Sequence, residues 1–259
     1  MNYRIVICTY KRHDVLKEKT LHYLKSCGIS SSLIDIFVAN QEEYEIYTEN
    51  IPSNMYNNII IGKETLHKQR NFVRQYYPQN TCLFNLDDDI EQLEIVKNCK
   101  LEPIVAGLDK IIQYGFYLLK KNKTRLCGIY AARNQFFMSE DYSRGLYYCI
   151  GSCYWTINDK DHNLDVELED KEDYERTIKS YLKYGHIIRL NNITAKTGYY
   201  TTKGGMQETR TEERVEKSGK YLIKKYPMLC EHNKARKEHF EVKFKKQKNN
   251  KKVRLNGIK

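Results

Sequence analysis

A chain of 259 residues, 41% of them hydrophobic, can bury one substantial core, which excludes a wholly disordered protein. Its net charge of +11 is unevenly placed: residues 1–180 carry 23 Lys and Arg against 26 Asp and Glu, whereas residues 181–259 carry 21 against 7, a local excess of +14. No run approaches the ~18 apolar residues of a membrane-spanning helix, and the N-terminal "RIVIC" is too short for a secretory signal, so a soluble, intracellular protein without membrane partners is expected.

In chain order, "YRIVICTYKR" reads as a strand ending in polar residues. "HDVLKEKTLHYLKSCG" sets Val15, Leu16, Leu21, Tyr23 and Leu24 on one helical face, with Gly28 as a cap. "LIDIFVAN" and "NNIIIG" read as buried strands, "KETLHKQRNFVRQYY" as a helix, and "TCLFNLDDD" as a further strand. Strands alternating with helices imply a parallel α/β sheet, and in such sheets ligands gather beyond the carboxyl ends of the strands. The loops "TYKR", "ANQEE" and "DDD" all follow strand ends and are expected to meet there.

Further on, "LEPIVAGLDKIIQYGFYLLKKN" reads as a helix, while "LCGIYAARNQFFM" and "LYYCIGSCYWTIN" read as aromatic-rich strands with mixed or antiparallel pairing. "DKEDYERTIKSYLKYG" reads as a helix ending at Gly185, and "HIIRLNNITA" as one more strand. The tail from about Lys234, containing "KKQKNNKK", reads as a solvated or partner-ordered segment acting apart from any chemistry. Eight scattered cysteines with no CxxC pair read as reduced thiols, not zinc ligands.

Asp87, Asp88 and Asp89 stand side by side at the end of an apolar run. Carboxylates in the first turn of a helix starting "DDDIEQLEI" would account for them without a ligand. Mutual repulsion favours a second account, in which the cluster holds a hard cation, Mg²⁺ or Mn²⁺, with positions open to substrate phosphates.

Four stretches, in order across residues 4–185, resemble the GT-A glycosyltransferases. They are "RIVICTYKRHDVLKEKTLHYL" (opening strand, loop and helix), "KETLHKQRNFV" (an Arg-Asn helix), "LFNLDDDI" (a DxD strand end) and "KEDYERTIKSYLKYG" (a Glu-Asp helix). The resemblance implies a GT-A (Rossmann-like) α/β fold, a mixed sheet flanked by helices, in residues 1–207. Residues 208–259 then form a basic, helical and partly flexible extension. It implies a UDP-sugar donor, with Mn²⁺ or Mg²⁺ at Asp87 and Asp89 and the donor near Asp88. Thr9, Tyr10 and Arg12 would surround the nucleotide, with Asn40 near the base and Arg70 and Asn71 near base or ribose. It places the catalytic base in the Glu172–Asp173 pair, Asp173 first, with Asp170 as a rival from the same acidic run. Inverting transfer is the family expectation. The histidine that many relatives use as a further metal ligand has no counterpart in "IIRLNNITAKTGYYTTKGGMQ", where Gly204 and Gly205 suit a loop over the donor and Lys203 a contact to phosphate.

The +14 region and the Lys-, Tyr- and Asn-rich composition bring a narrower resemblance, to the TET/JBP-associated glycosyltransferases and the base J glucosyltransferase. This implies a viral or phage enzyme, in host cytoplasm or nucleus, that moves glucose from UDP-glucose to a hydroxymethylated pyrimidine in DNA. Tyr154 and Trp155 would stack on bases or pack in the core. Two other readings stay open: a transferase for a glycan, lipid or protein acceptor, and a nucleic-acid-binding module whose acids are structural. Oligomeric state is not legible.

Overall fold

The computed structural model describes residues 2–198, 205, 210–235 and 240–255. Four runs of almost unbroken apolar character become the parallel strands β1 (Arg4–Cys8), β2 (Ile34–Val38), β3 (Asn58–Ile61) and β4 (Cys82–Leu86), ordered β3-β2-β1-β4. The sheet continues through β9 (Cys153–Ile157), antiparallel to β4, and then β7 (Leu126–Ile129), β10 (Ile187–Leu190), β8 (Asp141–Gly145) and β14 (Lys251–Arg254). A second sheet joins β11 (Ile193–Thr197), β5 (Ile90–Lys97) and β6 (Lys100–Pro103), and β12 (Cys230–His232) pairs with β13 (Val242–Phe244). Between β5 and β6, Asn98 and Cys99 both adopt positive φ, as a two-residue hairpin turn requires.

The first helical segment runs through α1 (His13–Leu16), a π-helical turn at Lys17–Leu21, and α2 (His22–Ser26). Then come α3 (Gln41–Asn50), α4 (Leu66–Tyr76), α5 (Leu108–Lys121), α6 (Glu172–Tyr184) and α7 (Glu212–Lys225). Among the described residues, no helix is long and apolar enough to cross a membrane.

Several expectations give way to tertiary context. "DDDIEQLEI" starts no helix, because β5 begins at Ile90 and pairs with β6 and β11. "ANQEE" is not simply a loop: α3 starts at Gln41, where Asn40 accepts from the Glu43 N–H. The helix expected from residue 101 starts only at Leu108, since Lys100–Pro103 pairs as a strand. The two aromatic-rich strands are shorter than read, Leu126–Ile129 and Cys153–Ile157, and Asp141–Gly145 supplies a strand between them. "HIIRLNNITA" divides at Asn191–Asn192 into strands of different sheets. The tail is packed where it is described: Val242 is buried and β14 forms an edge of the nine-stranded sheet against β8.

Trp155 is fully buried in the core, not a surface base-stacker; it packs on Phe84 and donates its indole N–H to the Ile112 carbonyl at 3.0 Å. The facing helix meets it with Gly115, where a Cβ would lie 2.6 Å from the indole nitrogen. Gly to Ala inside a helix ordinarily stabilises by about 1 kcal/mol. Here overpacking, about 1–3 kcal/mol, opposes and outweighs it. Gly115→Ala is therefore expected to lower the melting temperature by a few degrees; a rise in Tm would show that the indole can yield.

Candidate active site

Parallel register sets the strand ends. With Ile7 opposite Leu86, Thr9 and the Asp87–Asp89 turn leave the sheet side by side. The buried Thr9 hydroxyl donates to Asp88 at 2.7 Å and lies 2.7 Å from the Tyr47 hydroxyl of α3. Arg12 lies 3.3 Å from Asp88 and 3.9 Å from Asp89. The π-helical turn supplies Thr20, whose hydroxyl donates to the Asp87 carbonyl and accepts from the Ile90 N–H, fixing the turn from both ends. Asp88 is thus tied down, while Asp87 and Asp89 keep 36% and 14% of their side-chain surface exposed.

Arg70, buried on α4, joins this turn to α6. Its guanidinium bonds Asp87 at 3.1 Å, the Gly151 carbonyl at 3.0 Å and the Tyr154 hydroxyl at 2.8 Å, and lies 3.4 Å from Glu172. Arg176 holds the other Glu172 oxygen at 3.1 Å and stacks on the Tyr154 ring. Next to them, Asp173 accepts a hydrogen bond from the Tyr148 hydroxyl. Gly151 lies between the two groups: a Cβ there would be 3.2 Å from Glu172, 3.6 Å from Arg70 and 3.8 Å from Asp173.

The chain entering α6 is strained and fastened. Lys171 sits at positive φ (62°), its ammonium 3.2 Å from Glu241. Asp170 is buried and paired with Arg214 at 2.5 Å and Arg210 at 3.5 Å. Of these partners only Glu241 comes from the tail beyond Lys234, and it ties that tail to the entry of α6.

No protein-family model matches the sequence, and no curated protein matches it. Solved structures do. S. aureus TarS 1–349 in complex with UDP-GlcNAc superposes with a TM-score of 0.57 at 14% identity, over 86% of this chain and 66% of that one. The same fragment in complex with UDP gives 0.51 at 16% identity over the same shares. A longer S. aureus TarS chain, of which 40% is covered, gives 0.50 at 15% identity. The chain therefore spans under two thirds of these neighbours. Its fold is GT-A-like.

Within this GT-A-like fold, the residues expected at the site fall into two groups. Asp87, Asp88, Asp89, Arg12, Arg70, Glu172 and Asp173 form one connected network of charges. Thr9, Asn40 and Asn71 make side-chain bonds within the protein: the Thr9 hydroxyl to Asp88, the Asn40 carbonyl oxygen to the α3 cap, and Asn71 to both the N–H and the carbonyl of Val166. Tyr10 is half-buried beside Lys11, Lys203 and Gly204 lie outside the described residues, and Gly205 lies against the Arg12 guanidinium. Tyr154 is buried between two guanidiniums, not exposed for stacking on a base. Thr20, Tyr47, Tyr148 and Arg176 were not legible as members; each reaches the site from an element whose placement only the fold decides.

Burial pushes the Asp87 carboxyl up to about 7, opposed by Arg70 and reinforced by Asp89 and Asp88. Asp88 rises to about 6 through burial, against the pull of Arg12, and burial raises Asp89 as well. Asp173 is also raised, by burial and then by Glu172. Among the described residues, no three His, Cys, Asp or Glu side chains form a ready-made metal site. The available donor set is two carboxylates, which suits a hard divalent cation that completes its shell with water and phosphate oxygens.

A carboxyl that holds its proton more tightly folded than unfolded favours the fold less as pH rises from about 4 through the folded value. Without divalent cation, Asp87→Asn should gain melting temperature relative to the unsubstituted protein between pH 5 and 8, most of it by about pH 7. Thermal denaturation across that range checks this, and a difference that is flat or shrinks with pH contradicts the strained carboxylate turn.

Proposed function

We propose that this chain is a metal-dependent glycosyltransferase with a UDP-sugar donor. The carrying observation is the convergence, around Gly151, of the Asp87–Asp89 turn and the Glu172–Asp173 helix start through one buried arginine. Residues 1–207 would form the transferase domain and 208–259 the extension that fastens its α6 loop. The complexes of S. aureus TarS with UDP-GlcNAc and UDP support a uridine nucleotide.

The donor lies over the ends of β1, β2 and β4, with Tyr10 and Arg12 at its rim; Lys203, outside the described residues, is kept as a candidate phosphate ligand on its sequence alone. Thr9, Asn40 and Asn71 set the backbone around it. Mn²⁺ or Mg²⁺ held by Asp87 and Asp89 would neutralise charge on the departing diphosphate. Arg70 keeps Asp87 in place, and Thr9 and Arg12 do the same for Asp88.

Asp173 takes the proton of an acceptor hydroxyl as that oxygen bonds the anomeric carbon and the bond to the diphosphate breaks, releasing UDP with inversion. Its raised affinity for a proton suits a base, and Tyr148 orients it. Asp170, locked to Arg210 and Arg214, is assigned to structure, and Glu172, between two guanidiniums, to positioning.

The +14 region favours a phosphate-rich acceptor, and we take it to be DNA carrying hydroxymethylated pyrimidine, with glucose as the sugar. The bound UDP-GlcNAc of the neighbour makes N-acetylglucosamine the alternative sugar.

UDP-glucose and UDP-GlcNAc should be turned over with Mn²⁺ and left intact with EDTA, and Asp87→Ala and Asp89→Ala should each abolish turnover. No turnover of either donor in Mn²⁺ would sink this reading. Asp173→Asn should retain UDP affinity while kcat falls on the order of 10²-fold; a variant with unchanged kcat would remove Asp173 from the role of base.

A further inference from the structure

The start of α6 and the segment after β8 meet β13 around a cavity of about 500 Å³. Tyr147, Tyr148, Tyr174 and Phe244 give it aromatic walls, and Lys243 and Lys246 are among its cations. Tyr148 connects it to the chemistry: its ring stacks on Tyr174, and its hydroxyl donates to Asp173. Tyr148 therefore joins this cavity to Asp173, which itself lies near Gly151.

The composition of the cavity selects its occupant. Two amides, Asn233 and Asn250, also line it, but no carboxylate does. Here the walls are mainly aromatic rings and ammonium groups, the pairing that receives a base together with its flanking phosphates. The volume lies within the range of small-molecule sites, about 300–1,000 Å³, enough for one nucleotide. Lys243 and Lys246 are exposed at the mouth, Lys243 in a solvent-facing pair with Glu231 at 3.1 Å that a phosphate can displace, whereas Tyr147 is half-buried and rests on the Arg189 guanidinium. The same cations repel nothing that a nucleic acid strand carries.

We propose that this cavity is the acceptor subsite, in which one pyrimidine of a nucleic acid strand, unstacked from its neighbours, lies against Tyr147 while Lys243 and Lys246 hold the adjoining phosphates. The proposal rests on the glycosyltransferase reading for its link to Asp173, and it adds the place and the chemistry of acceptor recognition. It also gives the extension a second role, since β13 supplies Phe244 and Lys243 to the wall.

The test is binding of a labelled single-stranded pyrimidine oligonucleotide to the full chain without donor, by fluorescence anisotropy. Lys243→Ala with Lys246→Ala should weaken binding on the order of 10-fold and reduce the log–log salt slope by about 1.4, two phosphate contacts at ~0.7 each. Lys100→Ala with Lys110→Ala removes equal charge from exposed positions elsewhere and should keep full affinity. Tyr147→Leu, which retains apolar bulk over Arg189, should weaken the pyrimidine strand roughly 5-fold or more but leave an abasic phosphodiester strand unchanged.

Wild-type affinity in the cavity variants, or an equal loss in the Lys100/Lys110 control, overturns the site. Equal weakening of abasic and pyrimidine strands by Tyr147→Leu overturns the base and points to a plain polyanion. Cavity-dependent binding by a protein that turns over neither UDP-sugar would remove the transferase reading and leave the nucleic acid site standing; turnover without such binding would do the reverse.

Discussion

One buried guanidinium organises the centre of this molecule. Arg70 has its side chain almost wholly removed from water, and it contacts the end of β4 through Asp87, α6 through Glu172, β9 through Tyr154 and the connecting chain through Gly151. Burying a charge is costly unless it is both paired and hydrogen-bonded. Here the pairing is satisfied only when those four pieces of chain, far apart in sequence, are correctly assembled. The carboxylates gain from the arginine in turn: it opposes the rise of Asp87, which burial first, and then Asp89 and Asp88, push up to about 7. A protein that merely needed a stable turn would have little use for three adjacent acids there. Asp87 and Asp89, the two partly exposed members, are the donor set that the proposed cation would use.

The extension matters for the same electrostatic reason. Asp170 is fully buried and would be an uncompensated charge without Arg210 and Arg214, and Lys171, in a left-handed conformation that side chains rarely adopt, is held by Glu241. Asp173 follows two residues later. The basic character of residues 181–259 thus has a local structural part, in which some cations neutralise the acidic run before α6, and an outward part, in which Lys243 and Lys246 stay exposed beside the aromatic cavity. β14, as an edge strand on β8, fastens the end of the chain to the main sheet.

The sequence by itself determined the parallel half of the sheet, because β1, β2 and β4 are buried on both faces and read as continuous apolar runs whatever surrounds them. It determined α4 and α6 by helix-favouring composition, with Gly185 at positive φ closing α6, and it marked the Asp triplet and the Glu-Asp pair as unusual local concentrations of charge. What it could not decide were matters of partnership. "IEQLEI" and "KLEP" pair with each other across the Asn98–Cys99 turn, β11, about a hundred residues away, pairs with the other edge of β5, and "HIIRLNNITA" divided because its two halves pair in different sheets. Asn40 also caps α3 and Asn71 also fastens the Val166 loop, contacts that only the fold shows, since it alone brings those backbone groups within reach. Asp170 and Asp173 are indistinguishable as letters three apart, but one faces two arginines and the other a tyrosine hydroxyl at a cavity. The tertiary structure alone separates them, because the properties of a buried carboxylate are set by what is brought against it and not by its neighbours along the chain.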